Sequence, residues 1–276
     1  MAIYGSHFEY DGVSSRMYSL IMANVNTQRM SQLNGINTSI TKYSKKSHKR
    51  ILVDDDYSES PLTFDIEIVT DSGRCLELVE QRAIEKWLFT HRNYRKLYFD
   101  IADDYHGKTY EFIDGVRYRN YLNCRFVNVE RLEYNSGVVG YKATLEADSN
   151  MYWQDPITKN YVVNNGASDV STTVLVNVKT DFDEYIYPKV TIRIGSSGGD
   201  ITVVNNLDDS NRHTKFVDLP PHAVITMKGE LNYVSGQYYD KFSGRNFVRL
   251  LDGANNFMVL GDIDSIEFEY SARRLM

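Results

Sequence analysis

Leu62-Thr63-Phe64-Asp65-Ile66-Glu67-Ile68 sets apolar and polar side chains at alternate positions over seven residues. A strand turns successive side chains to opposite faces, so this stretch gives one face to a core and the other to water. The same alternation recurs at 97–101, 122–132, 139–145, 190–194, 223–227 and 266–270. With 21 Tyr and 12 Phe against only 5 Pro, the composition also favours a pleated, half-buried surface. Just beyond the deciding strand the period changes. Leu76, Val79, Ala83, Ile84, Trp87 and Leu88 recur at offsets of three and four, which predicts a helix over about 75–89, with Asp71 or Ser72 as its cap. The fold class is mainly β with one helix.

At 276 residues the chain is long enough for roughly two domains of about 150 residues each. The irregular, Asn-rich text from 148 to 172 marks the passage between them, giving domains at 1–150 and 151–276. The second half holds only short strand patterns and short turns, the description of a β-sandwich. Its last strand, about 264–271, either ends that domain or returns to the first. Gly195-Ser196-Ser197-Gly198-Gly199 lies between two strand patterns; without a following Lys-Ser/Thr or helix it reads as a hairpin turn, not a phosphate cradle.

Formal charge is −6, from 31 Lys+Arg and 37 Asp+Glu, which argues against gripping nucleic acid through a basic face. No apolar stretch nears the roughly 20 residues needed to span a bilayer, and the first residues lack the pattern of an export signal. Cys75 and Cys124 are too few for a disulfide framework and read as free thiols of a reducing compartment. The six His are scattered and neither Cys has a C-x-x-C partner, so no metal site is expected. There is no G-x-S-x-G elbow either, and no enzyme activity or cofactor is expected. Asp54-Asp55-Asp56 reads as a solvated acidic turn rather than a cation site.

Residues 28–60 form an odd segment. Lys42, Lys45, Lys46, Lys49 and Arg50 precede Asp54, Asp55, Asp56 and Glu59, with little apolar content between them. Such segregation fits a solvated loop, or an extension whose charges meet a neighbouring subunit; these residues are the candidate subunit interface. Sugar stacking is the other binding chemistry open to a β-sandwich. Trp153 and Tyr238 are its first candidates, then Tyr152, Tyr233 and Tyr239.

The order of elements resembles a known family. HFEYDGVSSRMYSLIMANVN (7–26), the charged segment, PLTFDIEIVT (61–70), LELVEQRAIEKWLF (76–89), RKLYFDI (95–101) and the long stretch 121–153 resemble the N-terminal domain of the distal tail proteins of long-tailed bacteriophages. DITVVNN (200–206), KFVDLPPHAVITMKGE (215–230), the L-x-x-G-x-N of Leu250 to Asn255 and SIEFEYSARR (265–274) resemble that family's galectin-like C-terminal domain. The resemblance implies a structural protein of the virion, made in the host cytoplasm. It would form a homo-hexameric ring between the tail tube protein and the tail hub, with a channel for the genome. The short C-terminal domain leaves no room for the added sugar-binding module or the arm for receptor-binding proteins that larger members carry.

Overall fold

The computed structural model describes residues 5–23, 36–41, 51–57, 62–100, 110–113, 115–135, 137–149, 151–166, 171–182, 184–209 and 212–274. The chain forms two compact units, Met1–Tyr152 and Trp153–Leu275.

The first unit carries β1 (Gly5–Tyr10), β2 (Val13–Ser14), β3 (Leu20–Ala23), β4 (Ile36–Thr41), β5 (Ile51–Tyr57), β6 (Thr63–Thr70), α1 (Leu78–Phe89), β7 (Arg95–Asp100), β8 (Tyr110–Ile113), β9 (Val116–Tyr134) and β10 (Gly137–Ala147), and ends at the start of β11 (Tyr152–Gln154). Strand order is β10-β6-β3-β1-β7-β9, all antiparallel, and β9 pairs with β10 as well, so the sheet closes on itself. Closure is made by β9, 19 residues long. Its Cys124 lies opposite Arg95 of β7 on one side and Ala147 of β10 on the other. To turn that corner it bulges: Asn128, at φ 52°, sits where the register slips between the Lys142–Glu130 and Thr144–Val127 pairs. Gly140 of β10 packs backbone to backbone on β6; a Cβ there would lie 2.3 Å from the Ile68 carbonyl.

Alternation along each strand fills the barrel with Phe8, Tyr10, Leu20, Ile66, Ile68, Leu97, Leu122, Phe126, Tyr141 and Leu145. Helix α1 adds Ile84, Trp87 and Leu88, with Leu76 just ahead of it. The Trp87 ring stacks on Phe8 at 5.8 Å, and its Nε1–H donates to the Tyr10 carbonyl at 2.8 Å. Two details of the expected helix are corrected. It starts at Leu78 and is capped by Glu77, in a capping box with Glu80, while Thr70–Gly73 closes a separate turn. Val79, expected on the buried face, is 75% exposed, because five residues of helix turn it away from the face that carries Ile84, Trp87 and Leu88.

The segment expected as a charged loop is also corrected where it is described. β4 and β5 pair antiparallel as a two-stranded sheet, with Asn37 opposite Asp56, Thr38 opposite Asp55 and Ser39 opposite Asp54. Asp54-Asp55-Asp56 is therefore strand, not turn.

The second unit continues with β12 (Ile157–Val162), β13 (Ser171–Val178), β14 (Lys189–Ile194), β15 (Gly199–Asn205), β16 (His213–Leu219), β17 (Val224–Lys228), β18 (Tyr233–Val234), β19 (Phe242–Ser243), β20 (Gly253–Leu260), β21 (Ile263–Tyr270) and β22 (Arg273–Arg274). Two antiparallel sheets, β12-β21-β14-β17-β18 and β13-β20-β15-β16-β19, pack as a sandwich. Val190, Ile192, Ile225, Ile266 and Phe268 of one face Val174, Val176, Ile201, Phe216 and Val259 of the other, and Phe257 meets Phe268 at 4.9 Å. The last long strand, β21, lies between β12 and β14 inside this unit. Chain entry and exit run side by side, with the Gln154 N–H donating to the Ala272 carbonyl at 2.9 Å.

Candidate assembly surfaces

The two polar motifs that sequence reading singled out in the second unit are engaged by the unit itself. Gly195–Gly199 is not a hairpin turn: β14 belongs to one sheet and β15 to the other, so the segment is the corner by which the chain changes sheets. Its backbone donors are taken by the protein itself. Asp262, 2% exposed, accepts the N–H groups of Ser197 at 2.5 Å and Gly198 at 3.0 Å. A Cβ on Gly195 would sit 2.1 Å from that carboxylate, so glycine is needed for the approach. The L-x-x-G-x-N motif has an equally internal task. Asn255 accepts from the Leu251 N–H at 2.9 Å, donates back to the Leu251 carbonyl at 2.8 Å, and receives Asn205 Nδ2 at 2.8 Å. One buried amide thus closes the turn before β20 and ties it to β15. Asp208, with a side chain 6% exposed, holds Arg249 through two 2.6 Å contacts, while the Arg249 guanidinium lies 3.5 Å from the Tyr185 ring centre. That fork holds the Asp208 carboxyl below its ordinary range.

The surface with the most convergent chemistry lies on the first unit, on the outside of β7 and β9. Tyr98 and Tyr121 face each other at 5.5 Å and are 8% and 9% exposed, although they sit on the outer face. They are covered by cations, Arg119 over Tyr98 at 3.7 Å and Lys96 over Tyr121 at 4.1 Å. Arg119 forks onto Glu9 at 2.7 and 3.3 Å, and Arg125 pairs with Glu146 at 2.8 Å. An open basin of about 300 Å³ adjoins them, lined by Glu9, Asp11, Tyr94, Arg95, Lys96 and Asn123 among others. Periodicity could have found this array, since Arg117, Arg119, Tyr121, Asn123 and Arg125 alternate with strand period; reading 122–132 for its apolar face passed over it.

The expected interface residues divide. Lys42, Lys45, Lys46, Lys49 and Arg50 lie outside the described residues, and Asp54, Asp55 and Asp56 lie on β5. Of the sugar-stacking candidates, Tyr238 is 8% exposed and offers no open face. Trp153 is half-buried with the Arg273 guanidinium 5.3 Å from its ring centre, and Tyr152 packs on the first unit's core. Tyr233 and Tyr239 are exposed. Among the described residues no three His, Cys, Asp or Glu side chains converge as metal ligands, and no helix is long and apolar enough to cross a membrane.

Among the described residues the first unit is thus a closed barrel with one α-helix, and the second a two-sheet sandwich whose polar motifs are spent on its own turns. Residues 3–149 match the family model described as the phage tail protein N-terminal domain, and residues 157–270 that of the phage tail C-terminal domain; the chain belongs to this family of phage tail proteins. It is thus a virion-associated tail component. No curated protein matches the sequence. Among solved structures, the crystal structure of the Dit protein of phage SPP1, described as a paradigm of the hub adsorption apparatus in phages infecting Gram-positive hosts, shares the fold. Its TM-score is 0.58 at 11% identity, over 98% of this chain and 99% of that one. Chains of the phage P2 baseplate in its activated conformation also align, at TM-score 0.49 with 8% identity over 98% of each chain in the calcium form. The strontium form gives 0.47 with 9% identity over 97% of each. The family is thus that of phage tail proteins, and the resemblance to distal tail proteins holds in the fold.

Proposed function

We propose that this tail protein is the ring-forming adaptor of the tail tip. Six copies close head to tail through their first units, leaving a channel for the genome, while the galectin-like second units project outward. One face of the ring seats on the tail tube protein and the other on the tail hub. The role is geometric, with no catalytic step. The observation that carries this reading is the family match over both units together with a fold shared end to end with a Dit protein. The first unit also suits it physically: a closed sheet has no free edges among its six main strands, so copies must meet through side-chain surfaces and the hairpin, which favours a defined ring over edge-to-edge polymerisation. Light scattering over a range of protein concentration and salt tests it. A particle of about six times 31.9 kDa is expected. A chain that stays monomeric at every concentration, and also in mixtures with the tail tube and hub proteins of its phage, overturns it.

A further inference from the structure

The basin beside β7 and β9 is built from side chains of both signs, Glu9 and Asp11 with Arg95 and Lys96, and from the Tyr94 ring and the Asn123 amide. Its acid and base do not close on each other. Asp11 Oδ1 lies 3.8 Å from Arg95 Nε, and Asp11 Oδ2 lies 3.6 Å from His91 Nε2, both beyond hydrogen-bond length. A ligand hydroxyl set between Asp11 and Arg95 donates to the carboxylate and accepts from the guanidinium, so each gains the hydrogen bond that their separation denies them. The frame is also fixed in advance. Asp11 and Gly12 take φ 49° and 77°, the left-handed pair of a two-residue hairpin turn, and the Asp11 N–H donates to the Lys96 carbonyl at 3.1 Å. Glu9 is held by Arg119 at 2.7 Å, and Asn123 donates its Nδ2 to Asp148 at 2.6 Å. Binding therefore freezes little further side-chain freedom.

Charge decides which class of ligand fits. A phosphate or carboxylate brought into the basin meets Glu9 and Asp11, and an ammonium group meets Arg95 and Lys96, so an ion of either sign is opposed. A polyol is opposed by neither, because each hydroxyl can donate to a carboxylate and accept from a cation. Tyr94 supplies the other half of saccharide recognition. Its ring is 38% exposed at the basin, a flat apolar surface for the C–H face of a pyranose, whereas Tyr98 is covered by Arg119. At about 300 Å³ the basin sits at the small end of the range for small-molecule sites, room for roughly one or two sugar rings. We propose that this basin binds a neutral saccharide, with Tyr94 as the stacking platform and Asp11 and Arg95 gripping a hydroxyl between them. The site lies on the first unit, apart from the exposed Tyr233 and Tyr239 of the second, and does not rest on the ring reading.

The test presents the full chain to an array of neutral oligosaccharides of hexoses and N-acetylhexosamines beside sulfated and uronic ones. Retention on neutral members is expected, and the best-retained of them is then titrated by NMR. Tyr94→Ala is expected to weaken its binding about tenfold, the loss of one ring contact, and Tyr94→Trp to hold it within about threefold of the parent. Arg95→Met, which keeps the stem and removes the guanidinium, is expected to weaken it about tenfold as well. Both side chains are exposed, so these variants are expected to keep the melting temperature of the parent. Tyr233→Ala with Tyr239→Ala is expected to leave binding unchanged. Retention of no neutral member, or of acidic members alone, overturns the proposal. Binding that Tyr94→Ala or Arg95→Met leaves unchanged overturns it too, and binding lost with Tyr233 and Tyr239 gives the saccharide to the second unit. None of these outcomes touches the ring, whose test is the particle mass.

Discussion

Asp262 and the two cysteines show what single residues do here. The Asp262 carboxylate accepts two backbone N–H groups in a place where water does not reach, so removing it leaves both donors unmet. Asp262→Ala is expected to destabilise the second unit by about 2–4 kcal/mol. Asp262→Asn, which keeps one acceptor oxygen, is expected to cost less; urea unfolding followed by a probe confined to that unit measures both. Cys124 is fully buried and its thiol is pushed up by desolvation, whereas Cys75 is exposed at the start of the α1 region. One thiol per native chain is expected to react with a thiol reagent within minutes, and two after denaturation. Cys75→Ser is expected to abolish the native reaction; a native Cys124 that still reacts would contradict the closed barrel. The roles of Asp262 and Asn255 were not legible in the sequence, because an Asp after Gly and an Asn in a turn look like ordinary turn chemistry. Their meaning comes from residues about 65 and 50 positions away that only the folded sandwich brings near.

Among the elements, the strands were read most directly from the chain. Leu62 to Ile68 alternates because β6 lies between β3 and β10 with Ile66 and Ile68 buried and the residues between them turned out. The helix was legible in its Ile84, Trp87 and Leu88 face, but its start was misplaced, since Glu77 is a less common cap than Asp or Ser and the box with Glu80 replaces them. That box gives the element a pH dependence. Arg74 forks onto Glu80 at 2.8 and 2.6 Å, and with the Glu77 N–H it lowers the Glu80 carboxyl from an ordinary 4.5 to about 2. A carboxyl depressed in the folded state contributes stability above its unfolded pKa and loses it as pH falls through the folded value. The first turn of α1 is therefore expected to be firm above about pH 4.5 and to fray progressively toward pH 2. Hydrogen exchange of the amides of residues 78–81 reads this, and Glu80→Gln is expected to raise their exchange at neutral pH and flatten the profile. The Gly195–Gly199 corner and the β4–β5 hairpin were misread for one reason: local sequence reports a turn or a charged run, while partner strands decide whether it changes sheet or pairs.

At the scale of the whole molecule, two units with separate cores meet a requirement of ring closure. A ring of identical copies needs each copy to offer two different surfaces, and the first unit carries a basic outer face together with a segment of blocked charge, Lys42 to Arg50 followed by Asp54 to Asp56. Opposite charges in neighbouring blocks suit contacts between copies better than contacts within one, where they would shield each other. Changing Lys42, Lys45, Lys46, Lys49 and Arg50 to Glu is expected to weaken assembly while leaving the melting temperature of the isolated chain nearly unchanged. Rings of the parent chain are expected to loosen as salt rises from about 0.05 to 0.5 M, since screening shortens the reach of exposed charge below about 10 Å. Closure adds a further signature. In the proposed ring a sixth copy would complete two contacts at once, the second of them intramolecular, so a closed ring would outweigh open chains of two to five copies even when each contact is modest. Native mass spectrometry across the assembly range is therefore expected to show monomers and hexamers with few intermediates. For the charge-reversed chain it is expected to show monomers over the same concentrations. A graded population of open oligomers in the parent would mean that the contacts are strong alone and owe nothing to closure.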